Sequence, residues 1–185
     1  MFLGRLHPVK GLPNLIDAWN NVRPKNWKLI IAGPLKGTYT KKIYRKVQKS
    51  GFAEKIVFQG SVTGNKKADL LLQTELFILP SLSESFGVAI GEALSYGIPV
   101  ITTKATPWQA IRDVKCGWWI DPGVKSLERT IRAATSLSSS ELFEMGIRGR
   151  EFIDREFAWR KITRKTELLY NWVKYGGHKP DFIYD

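Results

Sequence analysis

Cysteine is nearly absent from this chain. Cys116 is the only one in 185 residues, which excludes an intrachain disulfide and suits a reducing compartment. Histidine is almost as scarce, with His7 and His178 alone, so the spacing of a three-ligand metal site does not occur. Cys116 also lacks a nearby histidine to activate it as a nucleophile. No stretch approaches the ~18–20 unbroken apolar residues of a membrane span. The N-terminus has no signal-peptide pattern, and the sequence holds no internal repeat or low-complexity segment. A Gly-x-Gly-x-x-Gly turn after the first strand is missing, which argues against a nicotinamide-dependent oxidoreductase. P-loop and RNA-binding signatures are missing too.

What is present begins with charge. There are 29 basic residues against 17 acidic ones, a net charge of +12. Such a balance favours anionic partners: phosphorylated ligands, an acidic membrane surface or nucleic acid. Much of the excess lies between Lys36 and Lys49 and between Arg148 and Lys165. Both clusters also read as solvated helix faces. A stand-alone basic module for nucleic acid or an anionic surface is therefore the rival of any enzyme reading.

The hydrophobic pattern alternates between two periods. Short apolar runs predict strands at Met1–Leu6, Trp27–Ala32, Lys55–Phe58, Leu76–Leu79, Pro99–Thr102 and Gly117–Ile120. Helical spacing predicts helices between them, at Pro13–Val22, Thr40–Ser50, Lys66–Thr74, Val88–Tyr96 and Pro107–Arg112. Three more helices follow: Val124–Leu137, Ser140–Ile153 (opening without a full capping box) and Trp159–Lys174. Gly176-Gly177 marks a loose tail. Alternating strands and helices imply right-handed βαβ units. The fold class is α/β: a doubly wound, mostly parallel, Rossmann-like sheet of about six strands with helices on both faces. The helical last third is too short for a separate domain and is expected to pack back on the sheet, giving one domain over residues 1–185.

Candidate site residues gather at the strand ends. Gly4-Arg5 closes the first strand and Lys10-Gly11 opens the first helix, so both cations sit at the C-terminal sheet edge, where α/β folds bind ligands. Two cations there suit a diphosphate. His7, between them, reads as a turn residue more readily than as a proton shuttle. The run from Pro80 to Pro99 holds two carboxylates, Glu84 and Glu92, around Phe86-Gly87. Ser85-Phe86-Gly87 is expected to begin a helix whose free N–H groups hold an anion. Glu92, over one turn further on, can accept two hydrogen bonds from a ribose diol. Glu84 can reach a sugar ring. Gly60-Ser61-Val62 ends the third strand at the same edge and offers an apolar ledge to a base. Trp118 and Trp119 read as core or sheet-edge residues.

Taken in order, these motifs resemble the C-terminal, donor-binding domain of the group 1 (family 4) glycosyltransferases of GT-B architecture. Phe2-Leu3-Gly4-Arg5-Leu6 with Lys10-Gly11 is similar to the family's G-R-L…K-G opening. Val57-Phe58-Gln59-Gly60 resembles its V-x-F-x-G strand. Leu79-Pro80-Ser81, Glu84-Ser85-Phe86-Gly87 and Glu92-Ala93 resemble its E-x7-E block, Gly97 to Ile101 its G-x-P-V-I strand, and Phe157-Ala158-Trp159 its F-x-W. Two departures stand out: Gly33-Pro34-Leu35 has one glycine where G-x-G is usual, and Ser85 stands where glycine is common.

The resemblance implies retaining, metal-independent transfer of a hexosyl group from a nucleoside-diphosphate sugar, by default a UDP-sugar, to a glycan or lipid-linked acceptor. It implies that Arg5 and Lys10 bind the diphosphate as leaving group and that Glu92 holds the ribose. It further implies that Glu84, with the backbone of Ser85, Phe86, Gly87 and Val88, holds the sugar, while Gly60 and Val62 face the base. Catalytic roles would fall to Glu84, Arg5 and Lys10. No cofactor is implied beyond the donor. The chain reads as half of a longer enzyme whose N-terminal acceptor domain is absent, so by itself it is expected to bind donor without turnover. A cytoplasmic setting, at the inner face of an anionic membrane and in bacterial polysaccharide synthesis, completes the expectation.

Overall fold

Among the described residues the apolar runs form six strands, each parallel to its neighbours. The computed structural model describes residues 1–183, so the last two residues of the expected domain lie outside the described residues. The strands are β1 (Phe2–Leu3), β2 (Leu29–Ala32), β3 (Ile56–Gly60), β4 (Phe77–Leu79), β5 (Val100–Thr103) and β6 (Gly117–Ile120). The first helices are α1 (Leu12–Val22), α2 (Thr38–Gln48), α3 (Gly64–Leu72), α4 (Val88–Ser95) and α5 (Ala110–Asp113). Then come α6 (Val124–Thr135), α7 (Ser139–Phe157) and α8 (Trp159–Tyr175).

Two ladders, β1-β2-β3 and β4-β5-β6, meet at Met1. Its nitrogen donates to the Leu76 carbonyl at 2.6 Å, and its carbonyl accepts from the Ile78 N–H at 2.8 Å. Bonds to residues on either side of Phe77 are the signature of a parallel pair. The sheet therefore runs β3-β2-β1-β4-β5-β6, and the direction of winding reverses between β1 and β4. Right-handed crossovers on the two sides of that point place helices on opposite faces. α2 and α6 pack along α1, while α7 packs along α4.

Strand composition follows position in the sheet. β4 and β5 are buried throughout, as strands covered on both faces must be. β3, an edge strand, alternates instead, with Val57 40% exposed. β1 is shorter than the expected Met1–Leu6. After Gly4, whose N–H still bonds Ala32, the chain turns into a 3₁₀ segment at Pro8–Lys10. His7 caps that segment, its Nδ1 accepting from the Val9 N–H at 3.3 Å, so it serves the turn.

The C-terminal third differs from expectation in two ways. α7 starts with a complete capping box, because Ser138 and Glu141 satisfy each other's backbone N–H groups. α8 buries no residue and leaves Trp159 84% exposed, so it does not pack back on the sheet. α7 packs on α4 and the turn after it, through glycine. A Cβ on Gly146 would lie 1.9 Å from the Gly97 carbonyl oxygen, and one on Gly149 would lie 2.8 Å from Leu94. Trp118 and Trp119 lie half-buried on edge strand β6, as expected.

Candidate functional site

Because β1 and β4 are neighbours, the loops leaving their C-terminal ends run side by side. The Leu82 N–H donates to the Val9 carbonyl at 2.7 Å and stitches them together. Gly11 sits at φ +68°, and a Cβ there would fall 2.0 Å from the Pro80 carbonyl oxygen. Only glycine permits both that backbone angle and that approach. The stitching brings Lys10 onto Glu84, from 74 residues away in sequence. The Lys10 ammonium donates to Oε2 of Glu84, and the Ser81 hydroxyl donates to the same oxygen at 3.2 Å. The two charged side chains are only 16% and 14% exposed. Ser81 is fully buried, and its carbonyl accepts from the Thr103 hydroxyl at the end of β5. Oε1 of Glu84 has no protein partner among the described residues.

Glu92, on the second turn of α4, meets a cation that sequence reading missed. Lys67, in the first turn of α3, donates to its Oε1 at 2.6 Å, with both side chains about one-third exposed. The motif order predicted Glu92 but not its partner. Helical spacing places Lys67 on α3 without saying which helix it faces.

The helix begins at Val88, the start predicted from its spacing, so of Ser85-Phe86-Gly87 only Gly87 takes part in the helix start, as its cap. Gly87, at φ +84°, is its N-cap, and the Ile90 N–H closes the first turn on the Gly87 carbonyl at 2.8 Å. The amides of Val88 and Ala89 are therefore the ones left outside helical bonds. Ser85 and Phe86 belong to the preceding loop, which is held from behind. The Trp108 indole N–H donates to the Phe86 carbonyl. The Phe86 ring lies 5.2 Å from Trp108 and 5.7 Å from Phe157, centroid to centroid. Trp108 and Phe157 thus brace the loop; the sequence named Phe157 only as part of a motif and gave no signal for Trp108.

Gly4 and Arg5 follow β1 at this edge. Arg5 is exposed and has no hydrogen bond or ion pair among the described residues. Gly60 closes β3, two strands away along the same edge, with its carbonyl accepting from Gly33 at 2.8 Å. Val62 lies half-buried beyond it. Cys116 is fully buried, and that burial pushes its thiol up to about 11, so it is protonated at neutral pH. Among the described residues no three His, Cys, Asp or Glu side chains cluster as metal ligands. Among the described residues, too, no helix is long and apolar enough to cross a membrane.

The sheet order and the edge at β1 and β4 define one Rossmann-like half of a GT-B fold. Residues 1–151 match the model of the glycosyl transferases group 1, and the chain belongs to that family. An uncharacterized glycosyltransferase from Methanocaldococcus jannaschii is 26% identical over 174 residues, covering 92% of this chain and 44% of its own. The chain thus spans about half the length of that relative. Among solved structures, sucrose-phosphate synthase from Thermosynechococcus elongatus superposes with a TM-score of 0.84 at 22% identity, over 93% of this chain and 44% of its own. The Anabaena protein HepE, solved in complex with UDP-glucose, superposes with a TM-score of 0.81 at 23% identity, over 92% and 48%.

Proposed function

We propose that this chain is the donor-binding half of a glycosyltransferase that uses a nucleoside-diphosphate sugar. One observation carries the reading: Lys10, Glu84 and the start of α4 converge at the point where the sheet reverses, with Arg5 on the same edge. The family assignment supports it, and the UDP-glucose complex of HepE supports a UDP-sugar as the default donor.

In this reading Arg5 and Lys10 take the diphosphate and stabilise it as it departs. Lys10 then exchanges part of its bond to Glu84 for phosphate oxygens. The free Oε1 of Glu84, with the Ser85–Val88 backbone, takes the sugar hydroxyls. Glu92 takes the ribose, and Gly60 and Val62 face the base. The anomeric carbon–oxygen bond breaks with its electron pair going to the diphosphate. The acceptor oxygen bonds to that carbon, with net retention, and its proton passes to an oxygen of the departing diphosphate. No metal is required, because fixed cations neutralise the leaving group. The acceptor belongs to a second domain, so this chain binds donor without turnover.

A thermal-shift panel of UDP, GDP, ADP and their sugars, with pyrophosphate and NAD as controls, tests the reading. A nucleotide at about a hundred times its dissociation constant should stabilise the fold by roughly 2.7 kcal/mol. Lys10→Ala should weaken that nucleotide by about 1.5–3 kcal/mol, as loss of a charge-assisted bond does. A flat panel, or salt-dependent binding of any duplex in its place, would return the basic-module reading.

A further inference from the structure

The two carboxylates of the site are built alike. Each has one oxygen held by a lysine and the other left without a protein partner: Glu84 by Lys10, Glu92 by Lys67. The likeness does not come from local sequence. Lys10 arrives from the loop after β1, and Lys67 from the first turn of α3. Lys67 belongs to none of the motifs that define the site, yet at 2.6 Å it holds the closest contact made by Glu92.

That contact solves an electrostatic problem. A nucleoside diphosphate carries its negative charge on the phosphates, a few ångströms from the ribose. A carboxylate poised to accept from the ribose hydroxyls therefore repels the same ligand. A cation on one oxygen offsets that repulsion and restrains the rotamer, leaving the second oxygen free to accept. Lys67 thus offsets the charge of Glu92 as Lys10 offsets that of Glu84, and Arg5 stands at the same edge with no ion pair among the described residues.

We propose that Lys67 is a positioning residue for ribose recognition: it holds Glu92 in place and makes that carboxylate tolerable beside a diphosphate. The proposal rests on the donor-site reading above. It differs from a direct phosphate contact, because it assigns the effect of Lys67 to the ribose end of the ligand.

Affinities of the 185-residue chain for UDP, GDP, ADP, the 2′,3′-dideoxy form of whichever binds best, and pyrophosphate test it by calorimetry. The variants are Lys67→Met, Lys67→Arg, Glu92→Gln and the Lys67→Met/Glu92→Gln pair. Lys67→Met should weaken the ribose nucleotide about ten-fold. It should weaken pyrophosphate and the dideoxy nucleotide less, by about two- to three-fold, because they lose only the charge offset and not the positioned carboxylate. Lys67→Arg should restore most of the loss, which also guards against misfolding of the methionine variant. In the Glu92→Gln background Lys67→Met should add little, since the two act as a unit. Equal losses for nucleotide and pyrophosphate would make Lys67 a phosphate ligand and overturn the proposal. An unchanged ribose preference would overturn it as well. A wild-type chain that binds none of these nucleotides would instead remove the donor-site reading itself.

Discussion

α7 and α8 follow one another with only Ala158 between them, and they reach opposite ends. α7 carries two glycines in its interior, each costing about 1 kcal/mol against alanine in helix propensity. It is nonetheless buried along one side, through Leu142, Gly146, Gly149 and Phe152. α8 has no glycine and buries nothing. Its apolar side chains Leu168, Tyr170 and Val173 remain exposed. Propensity did not decide which helix joined the core. Close approach did: the missing side chains of Gly146 and Gly149 let α7 settle against α4, and close contact over that area outweighs two poor helix formers. At their junction, Phe157 reaches back to Phe86 and Trp108, so the end of α7 braces the loop that carries Glu84.

The contrast can be broken most forcefully at Gly146. Gly146→Leu must push α7 off α4, and should cost about 3 kcal/mol, the upper end for overpacking. The midpoint of urea unfolding reads this; an unchanged midpoint would mean that α7 is not held by that contact. Phe157→Ala tests the junction. It should cost about 2 kcal/mol, less than the ~3–5 of a fully buried phenylalanine, because the ring is 37% exposed. The same variant should bind nucleotide several-fold more weakly, since Phe86 loses its brace. A stability loss with unaltered binding would separate α7 from the site. The smallest effect belongs to α8. A chain ending at Ala158 should lose about 1 kcal/mol or less, mainly the half-exposed Lys161–Glu156 ion pair at 3.1 Å. A loss of several kcal/mol there would show that α8 is part of the folded body after all.

Much of the fold was legible because strand and helix periods differ and punctuating residues are strong. All six strands and eight helices were anticipated, with shifts at their ends. The shifts have local causes. Pro8 and the His7 cap cut β1 short. Gly87, free to adopt positive φ, caps α4 and leaves Ser85 and Phe86 in the loop before it. The Ser138–Glu141 box opens two residues before the expected helix start at Ser140, outside the expected span. Of the candidate site, Arg5, Lys10, Glu84 and Glu92 could be named because they sit in ordered motifs, most of them at strand ends. Lys67, Ser81 and Trp108 act through partners on other elements, and periodicity carries no information about partners.

The sequence by itself determined the alternation of strands and helices, the sheet's parallel character and the presence of acids and cations at one edge. Those are properties of neighbouring residues: burial period, turn chemistry and chain direction. Tertiary structure alone decided that Met1 would pair beside Phe77, that Lys10 would lie on Glu84 and Lys67 on Glu92, and that α8 would stay outside. Each of these depends on which surfaces meet. That is fixed by strand order and by whether two backbones can approach, as Gly11 allows at Pro80 and Gly146 allows at Gly97.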